Sequence, residues 1–355
     1  MSKAGNILIQ NIYYMLSYAF RFLKDSHYQN LGDEPFDHMD DLLAALITRG
    51  INRQIKRGIY KTYKVQKEEA PHLKGKLIVR DSMMLQLRNK KRLALEIDEL
   101  SENNLLNRII KSTLVFLANQ KRLRSDIRNN IQKTLFHLDG IETVDLKKLK
   151  RRHFQVNRNH QEYFMLIALC FMVVDRLIIS ENHKGYFTRG LKDDQTLPIL
   201  FEKFVLEYYR FHYPQISVKA AHVSWDISEG PENLLPRMES DITLKYQDKT
   251  LIIDTKFYQN IFAKSQYDEG KSKLHSNNLY QIFSYVQNAD TLNDGSVSGL
   301  LLYAKTNEII SPNADFKIKG NMIATRSIDL NTKFLNIENQ LNEIVNRYLF
   351  RQKFF

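Results

Sequence analysis

The sequence predicts a two-domain chain: an α+β domain over residues 1–158, then an α/β domain over 159–355 with a mixed central sheet flanked by helices. Three observations carry this. At 355 residues with 43% apolar content the chain can bury a real core, and its length suits two domains better than one or three. The first half mixes helical and extended periods. The second half runs helix, paired strands, helix and strand, an order that implies a sheet covered by helices.

Taken in order, NIYYMLSYAFRFLK sets Ile12, Met15, Leu16, Ala19 and Leu23 on one side at the helical period, and DDLLAALITRGINRQI behaves likewise. GIYKTYKVQKEEAPHLKGKLIV alternates until Pro71 and Gly75 interrupt it, which predicts strands joined by a loop. ENNLLNRIIKSTLVFLANQ returns to helix, with Leu105, Ile109, Ser112 and Phe116 toward one side. The polar stretch VDLKKLKRRHFQVNRNHQ reads as a linker and puts the domain boundary near Arg158. The run from Tyr163 to Val174 is a buried-type helix that meets Asp175 and Arg176 well short of membrane-spanning length. In LPILFEKFVLEYYRFHY, Leu200, Phe204 and Tyr208 recur at helical spacing. Two strands, the helix SNNLYQIFSYVQNA and the strand VSGLLLYA follow, with no internal repeat or low-complexity tract.

The net charge of +12 and pI near 9.4 favour a polyanionic partner. The charge is uneven. From Ile51 to Arg92 there are thirteen Lys or Arg against three Asp or Glu, and KKLKRR (Lys147 to Arg152) forms a second cluster. A solvated basic face or an acidic protein partner accounts for such runs as well as nucleic acid does. The N-terminus lacks the charged start, apolar stretch and cleavage site of a secretory signal, and the single Cys170 permits no intramolecular disulfide, so a cytoplasmic home is expected. Within its apolar run Cys170 reads as core filler. EGKS at Glu269 to Ser272 lacks the earlier glycine of a phosphate loop, with Ser265 in its place, and neither a zinc HExxH nor a GxSxG elbow occurs.

The strands SDITLKY and TLIIDTKFY, closed by a turn between Gln247 and Asp248, carry the most specific signal. Pairing Ile242 with Ile253 and Leu244 with Leu251 gives one consistently apolar face. The same register puts Asp241 across from Asp254, with Lys256 on their side. Opposed carboxylates destabilise a sheet unless something neutralises them, and an all-oxygen site suits Mg²⁺, or Mn²⁺, better than zinc. Such an ion stabilises charge on a phosphodiester, with Lys256 positioning or deprotonating the attacking water. Glu202 and Glu207 on the preceding helix are further candidate ligands. Asn278, Gln281 and Tyr285 make a polar helix face that could touch phosphates or support Lys256, opposite a buried stripe of Leu279, Ile282, Phe283 and Val286. A bare acid–acid–lysine triplet is a cheap match, and its ordinary alternative is a surface ion pair of Asp254 with Lys256 or Lys245. An isoleucine-rich strand ending abruptly in Asp254 and Lys256 weighs against that alternative.

These residues lie inside longer ordered motifs: NIYYMLSYA, LKGKL and DELSENNLLNRIIKSTL in the first domain, LLPRMESDITL, LIIDTKFY and HSNNLYQIFSY in the second. Through them the chain resembles the McrC family, the nuclease subunits of McrBC modification-dependent restriction systems. The second domain resembles the PD-(D/E)xK superfamily, which implies a restriction-endonuclease-like fold with Asp241, Asp254 and Lys256 in the Mg²⁺-holding places and Gln281 with Tyr285 as a QxxxY helix; Glu202, from the helix reading, is kept as a weaker fourth candidate. Ser240 stands where the superfamily has proline. The resemblance further implies that the first domain engages a hexameric AAA+ GTPase ring and stimulates its hydrolysis. GTP is then bound by the partner rather than by this chain, and the partner recognises 5-methylcytosine in double-stranded DNA. It would reassign the basic segment from Ile51 to Arg92 to contacts inside that ring, and it leaves open whether nuclease domains pair to cut both strands. The expectation is a Mg²⁺-dependent DNA endonuclease subunit; its rivals are a non-catalytic activator of the GTPase and a DNA-binding module without cleavage.

Overall fold

A computed structural model describes residues 3–4, 7–22, 25, 28, 31, 34–149, 161–182, 196–257, 262–263, 273–305 and 312–350. In chain order the elements begin with β1 (Lys3–Ala4), β2 (Ile7–Leu8), α1 (Ile9–Ala19), α2 (Met39–Arg57), β3 (Thr62–Ala70), β4 (Lys76–Leu77), α3 (Val79–Leu87), β5 (Leu93–Ser101), α4 (Leu105–Ala118) and α5 (Ser125–Phe136). They continue with α6 (Gln161–Asn182), α7 (Thr196–His212), β6 (Ser217–Val223), β7 (Met238–Tyr246), β8 (Lys249–Lys256), β9 (Phe262–Ala263), β10 (Lys273–Leu274), α8 (Ser276–Ala289), β11 (Val297–Lys305), β12 (Ala314–Ile318), β13 (Asn321–Asp329) and α9 (Phe334–Val345). Two compact units result, Met1–Leu42 with Ile178–Phe355, and Leu43–Leu177, so the division falls within α2 and within α6. The boundary expected near Arg158, the end of the basic run at Lys150 to Arg152, and Glu269 to Ser272 lie outside the described residues.

The chain's start joins its second half because α1 buries its aromatic face on α7. The Tyr18 ring lies 5.5 Å from that of Phe204 and 5.4 Å from that of Tyr208, and its hydroxyl is 2.7 Å from His212 Nε2. Asn11 Nδ2 donates to the carbonyls of Leu330 and Thr332 at 2.8 and 2.7 Å. The helix stops at Ala19, earlier than its apolar pattern, since Arg21 takes a left-handed φ of 58°; Leu23 lies outside the described residues.

In the unit of residues 43–177 the alternating segment does form strands, yet β3 and β4 do not pair with each other. Both pair antiparallel with β5, a strand the sequence reading did not assign. Gly75 makes the approach feasible: at φ +81° an added Cβ would sit 2.4 Å from the Glu96 carbonyl oxygen. Helix α4 is capped by Asn104, whose side chain accepts from Asn107 N–H at 3.1 Å. Of the expected stripe Ile109 and Ser112 are buried, joined by Ile110, Leu114 and Leu117, whereas Phe116 is half-buried and Leu105 is 43% exposed. Cys170 is fully buried and burial pushes its thiol up to about 12, as expected of core filler.

The other unit is built on a six-stranded sheet in the order β12-β13-β11-β8-β7-β6. It is mixed: β8, β11 and β13 run parallel, and the flanking pairs are antiparallel. The predicted register holds, with Ile242 opposite Ile253 and Leu244 opposite Leu251, and all four are buried. The sequence reading missed β6, β12 and β13. Ile252, on the other face of β8, packs in a core with Ile282 and Val286 of α8, so this central strand is covered on both sides. A Cβ added at Gly299 of β11 would come within 2.7 Å of Val286 and 2.8 Å of Ile282, which shows how closely α8 lies on the sheet. At the far end of α8 the buried Asp290 accepts from Asn321 Nδ2 at 2.6 Å and Gly295 N–H at 3.0 Å. Among the described residues no helix is long and apolar enough to cross a membrane.

Candidate active site

The end of β8 brings the acid and the lysine together. Residues two apart on a strand share a face, and Lys256 Nζ lies 2.6 Å from Asp254 Oδ2. The same ammonium donates to Gln281 Oε1 at 3.1 Å, and Gln281 Nε2 donates to the Tyr285 hydroxyl at 2.9 Å. A polar chain thus runs from the carboxylate through the lysine into helix α8, because Gln281 and Tyr285 are one helical turn apart. The structure corrects one detail: Tyr285 and Asn278 lie on the buried side of α8 with Ile282 and Val286, whereas Leu279 and Phe283 are only partly buried. Asn278 Nδ2 is 3.5 Å from the Tyr303 hydroxyl.

Asp241 sits on β7 one residue beyond the last paired positions, Ile242 and Ile253. Its Oδ2 accepts from the Thr255 backbone N–H at 2.7 Å and from Thr255 Oγ1 at 2.8 Å. Ser240, in the place where a proline was expected, is buried and hydrogen-bonds the neighbouring strand: its hydroxyl donates to the Ala221 carbonyl at 3.1 Å, beside the irregularity between Lys219 and Ala221, and lies 2.8 Å from Thr243 Oγ1. The serine supplies a donor that proline could not.

Asp254 is 1% exposed. Burial pushes its carboxyl up to about 6; the Lys256 ammonium works against that, and Asp241 adds to it. Glu202 of α7 is pushed up to about 7 by burial and then by the negative charges of Asp241 and Asp254, so the three acids share one electrostatic field. Glu207 does not join them. Its carboxylate is held 2.7 Å from Arg21 Nε and 2.7 Å from Arg210 Nη1. Burial pushes Glu207 up, but these guanidinium bonds outweigh it and hold the carboxyl below the ordinary glutamate range.

The donor set of Glu202, Asp241 and Asp254 is all oxygen, the chemistry of a hard divalent cation, and such an ion would offset both the burial and the lesser mutual repulsion that push Asp254 and Glu202 up. Among the described residues, however, no three His, Cys, Asp or Glu side chains stand in an arrangement that could hold a metal ion as they are placed. Sequence reasoning missed Thr255, and saw Ser240 only as a replaced proline; both matter through cross-strand bonds that no spacing encodes.

Fold and site together define a mixed α/β protein with an acid–lysine site at the end of a central strand. The chain belongs to a family: residues 3–304 match the model for the McrBC 5-methylcytosine restriction system component. It is 30% identical, over 347 residues, to the type IV methyl-directed restriction enzyme EcoKMcrBC of Escherichia coli (strain K12), a match spanning 97% of this chain and 98% of that protein. Among solved structures it is similar to a chain of the refined half-complex from a tetradecameric assembly of Thermococcus gammatolerans McrB AAA+ hexamers with bound McrC. The TM-score is 0.53 at 17% identity, covering 96% of this chain and 76% of that one, a likeness of fold alone.

Proposed function

We propose that this chain is the nuclease subunit of a GTP-dependent restriction complex, cutting methylcytosine-containing double-stranded DNA by Mg²⁺-assisted phosphodiester hydrolysis in a PD-(D/E)xK-like domain. The observation that carries the reading is the Lys256 ammonium held between Asp254 and Gln281 while Asp241 and Glu202 bear on the same point. Mg²⁺, or Mn²⁺, held by Asp241, Asp254 and Glu202, would supply Lewis-acid stabilisation of the phosphate's developing charge. Asp254 and Gln281 fix the Lys256 ammonium, which orients the attacking water or, once it has released its own proton to solvent, takes the water's as the neutral amine. Tyr285 fixes the Gln281 amide so that its oxygen faces the lysine.

The partner-docking part expected in residues 1–158 is, in this reading, the unit of residues 43–177, since residues 1–42 group with the second half, and the partner is an AAA+ GTPase ring that binds the GTP and is stimulated by the contact. Support comes from the family and from the surface of α3, where Val79, Met83 and Leu87, four residues apart, are 60%, 60% and 79% exposed, an apolar stripe suited to a protein partner. In sequence the stripe lies within the basic segment from Ile51 to Arg92. We place the protein in the cytoplasm, where DNA and GTP are both available.

The test is cleavage of a cytosine-methylated supercoiled plasmid by this protein with its GTPase partner, GTP and Mg²⁺. Cutting that disappears in EDTA supports the reading. Stimulated GTP hydrolysis without any cutting would leave an activator, and salt-sensitive DNA binding that is indifferent to metal would leave a binding module.

A further inference from the structure

We infer that Thr255 is a positioning residue for Asp241, holding one carboxylate oxygen so that the other would be left free for a cation; this rests on the metal-site reading above. Thr255 stands between Asp254 and Lys256, and strand alternation turns its side chain to the opposite face from theirs. It nevertheless reaches across to β7. The ladder between β7 and β8 ends at Ile242 and Ile253, and just beyond that point the Asp241 side chain, rather than a β7 carbonyl, accepts the Thr255 N–H. The threonine hydroxyl donates to the same atom, so both bonds, at 2.7 and 2.8 Å, fall on Oδ2.

Two donors on one oxygen fix the plane and rotamer of a carboxylate. The Lys256 and helix α8 network holds Asp254 but not Asp241, whose carboxylate bonds among the described residues are the two from Thr255. Partners that orient a metal ligand without touching the metal contribute to affinity chiefly through preorganisation. The backbone donor is available from any residue at position 255, whereas the hydroxyl requires threonine or serine, and this separates the side chain's part from the strand's.

The experiment is Mn²⁺ binding to the full-length chain without DNA or nucleotide, followed by titration calorimetry, for wild type, Thr255→Val, Thr255→Ser and Asp241→Asn. Valine keeps the shape and removes the donor. Thr255→Val is expected to weaken Mn²⁺ binding about tenfold, the low end for such partners, with Thr255→Ser close to wild type and Asp241→Asn weaker than either. In the assembled complex the Mg²⁺ concentration for half-maximal cutting should rise for Thr255→Val while the rate at saturating Mg²⁺ is retained. Wild-type affinity in Thr255→Val alongside a weakened Asp241→Asn would overturn the role of Thr255. Equal weakening in the valine and serine variants would overturn the role of the hydroxyl. Failure of wild type to bind Mn²⁺, or Asp241→Asn binding like wild type, would instead sink the metal-site reading.

Discussion

Lys256 donates a hydrogen bond from Nζ to Gln281 Oε1 at 3.1 Å, joining the end of the central strand β8 to the helix that covers it. The bond fixes an ammonium that already pairs with Asp254, and it does so through a side chain that Tyr285 orients in turn. If Lys256 handles the attacking water, its replacement by methionine should lower the cleavage rate by about 10²- to 10⁴-fold, the usual worth of a proton-transfer group. DNA binding by the complex, measured alongside, should change far less.

Gln281→Leu removes the support and keeps the bulk. It should lower the cleavage rate by about tenfold, corresponding to roughly 1.4 kcal/mol of lost positioning. Wild-type turnover in this variant would mean that Asp254 alone fixes the lysine.

Glu207 tests the other half of helix α7. Its carboxylate is buried and bonded to Arg21 and Arg210, so Glu207→Gln should destabilise the protein by about 2 kcal/mol, the scale of hydrogen bonds to charged groups, as read by urea unfolding near neutral pH. The sign with pH follows from the shift. The folded-state carboxyl titrates below its unfolded value, so its contribution is fully present above the ordinary glutamate range and is lost as pH falls through the lower folded value. The stability gap between wild type and Glu207→Gln should therefore close on acidification below that range, and a gap that widened there would contradict the assignment.

Gly299→Ala places a methyl against the stiff, branched side chains of Val286 and Ile282. Overpacking of this kind costs about 1–3 kcal/mol and should lower the thermal midpoint. Because α8 also carries Gln281, the variant should lose cleavage rate at a temperature where it is still folded.

How much of this was legible in the sequence depended on how local the cause is. The β7–β8 register follows from alternation across a short turn, and the structure reproduces it from Tyr246 opposite Lys249 to Ile242 opposite Ile253, one step short of the expected Asp241–Asp254 pair. The polar residues of α8 were readable as a set because a helix repeats every few residues. Strands β5, β6, β12 and β13 were not read, since each owes its pairing to partners brought in by topology. The apolar pattern after Ala19 suggested more helix, but the left-handed turn at Arg21 ends it and aims the guanidinium at Glu207, 186 residues away. That ion pair separates Glu207 from Glu202, two acids on one helix that sequence could not rank. The grouping of the first 42 residues with the second half rests likewise on distant contacts, such as Asn11 with the Leu330 carbonyl.

The central claim is that the cutting chemistry resides at Asp254 in this chain. Its most direct test compares wild type with Asp254→Ala on a cytosine-methylated supercoiled plasmid, with the GTPase partner, GTP and Mg²⁺ present and GTP hydrolysis followed in the same reaction. The account predicts that wild type cuts and Asp254→Ala does not, while both stimulate GTP hydrolysis equally. Cutting by both would place the chemistry elsewhere and leave this protein as the activator of its partner.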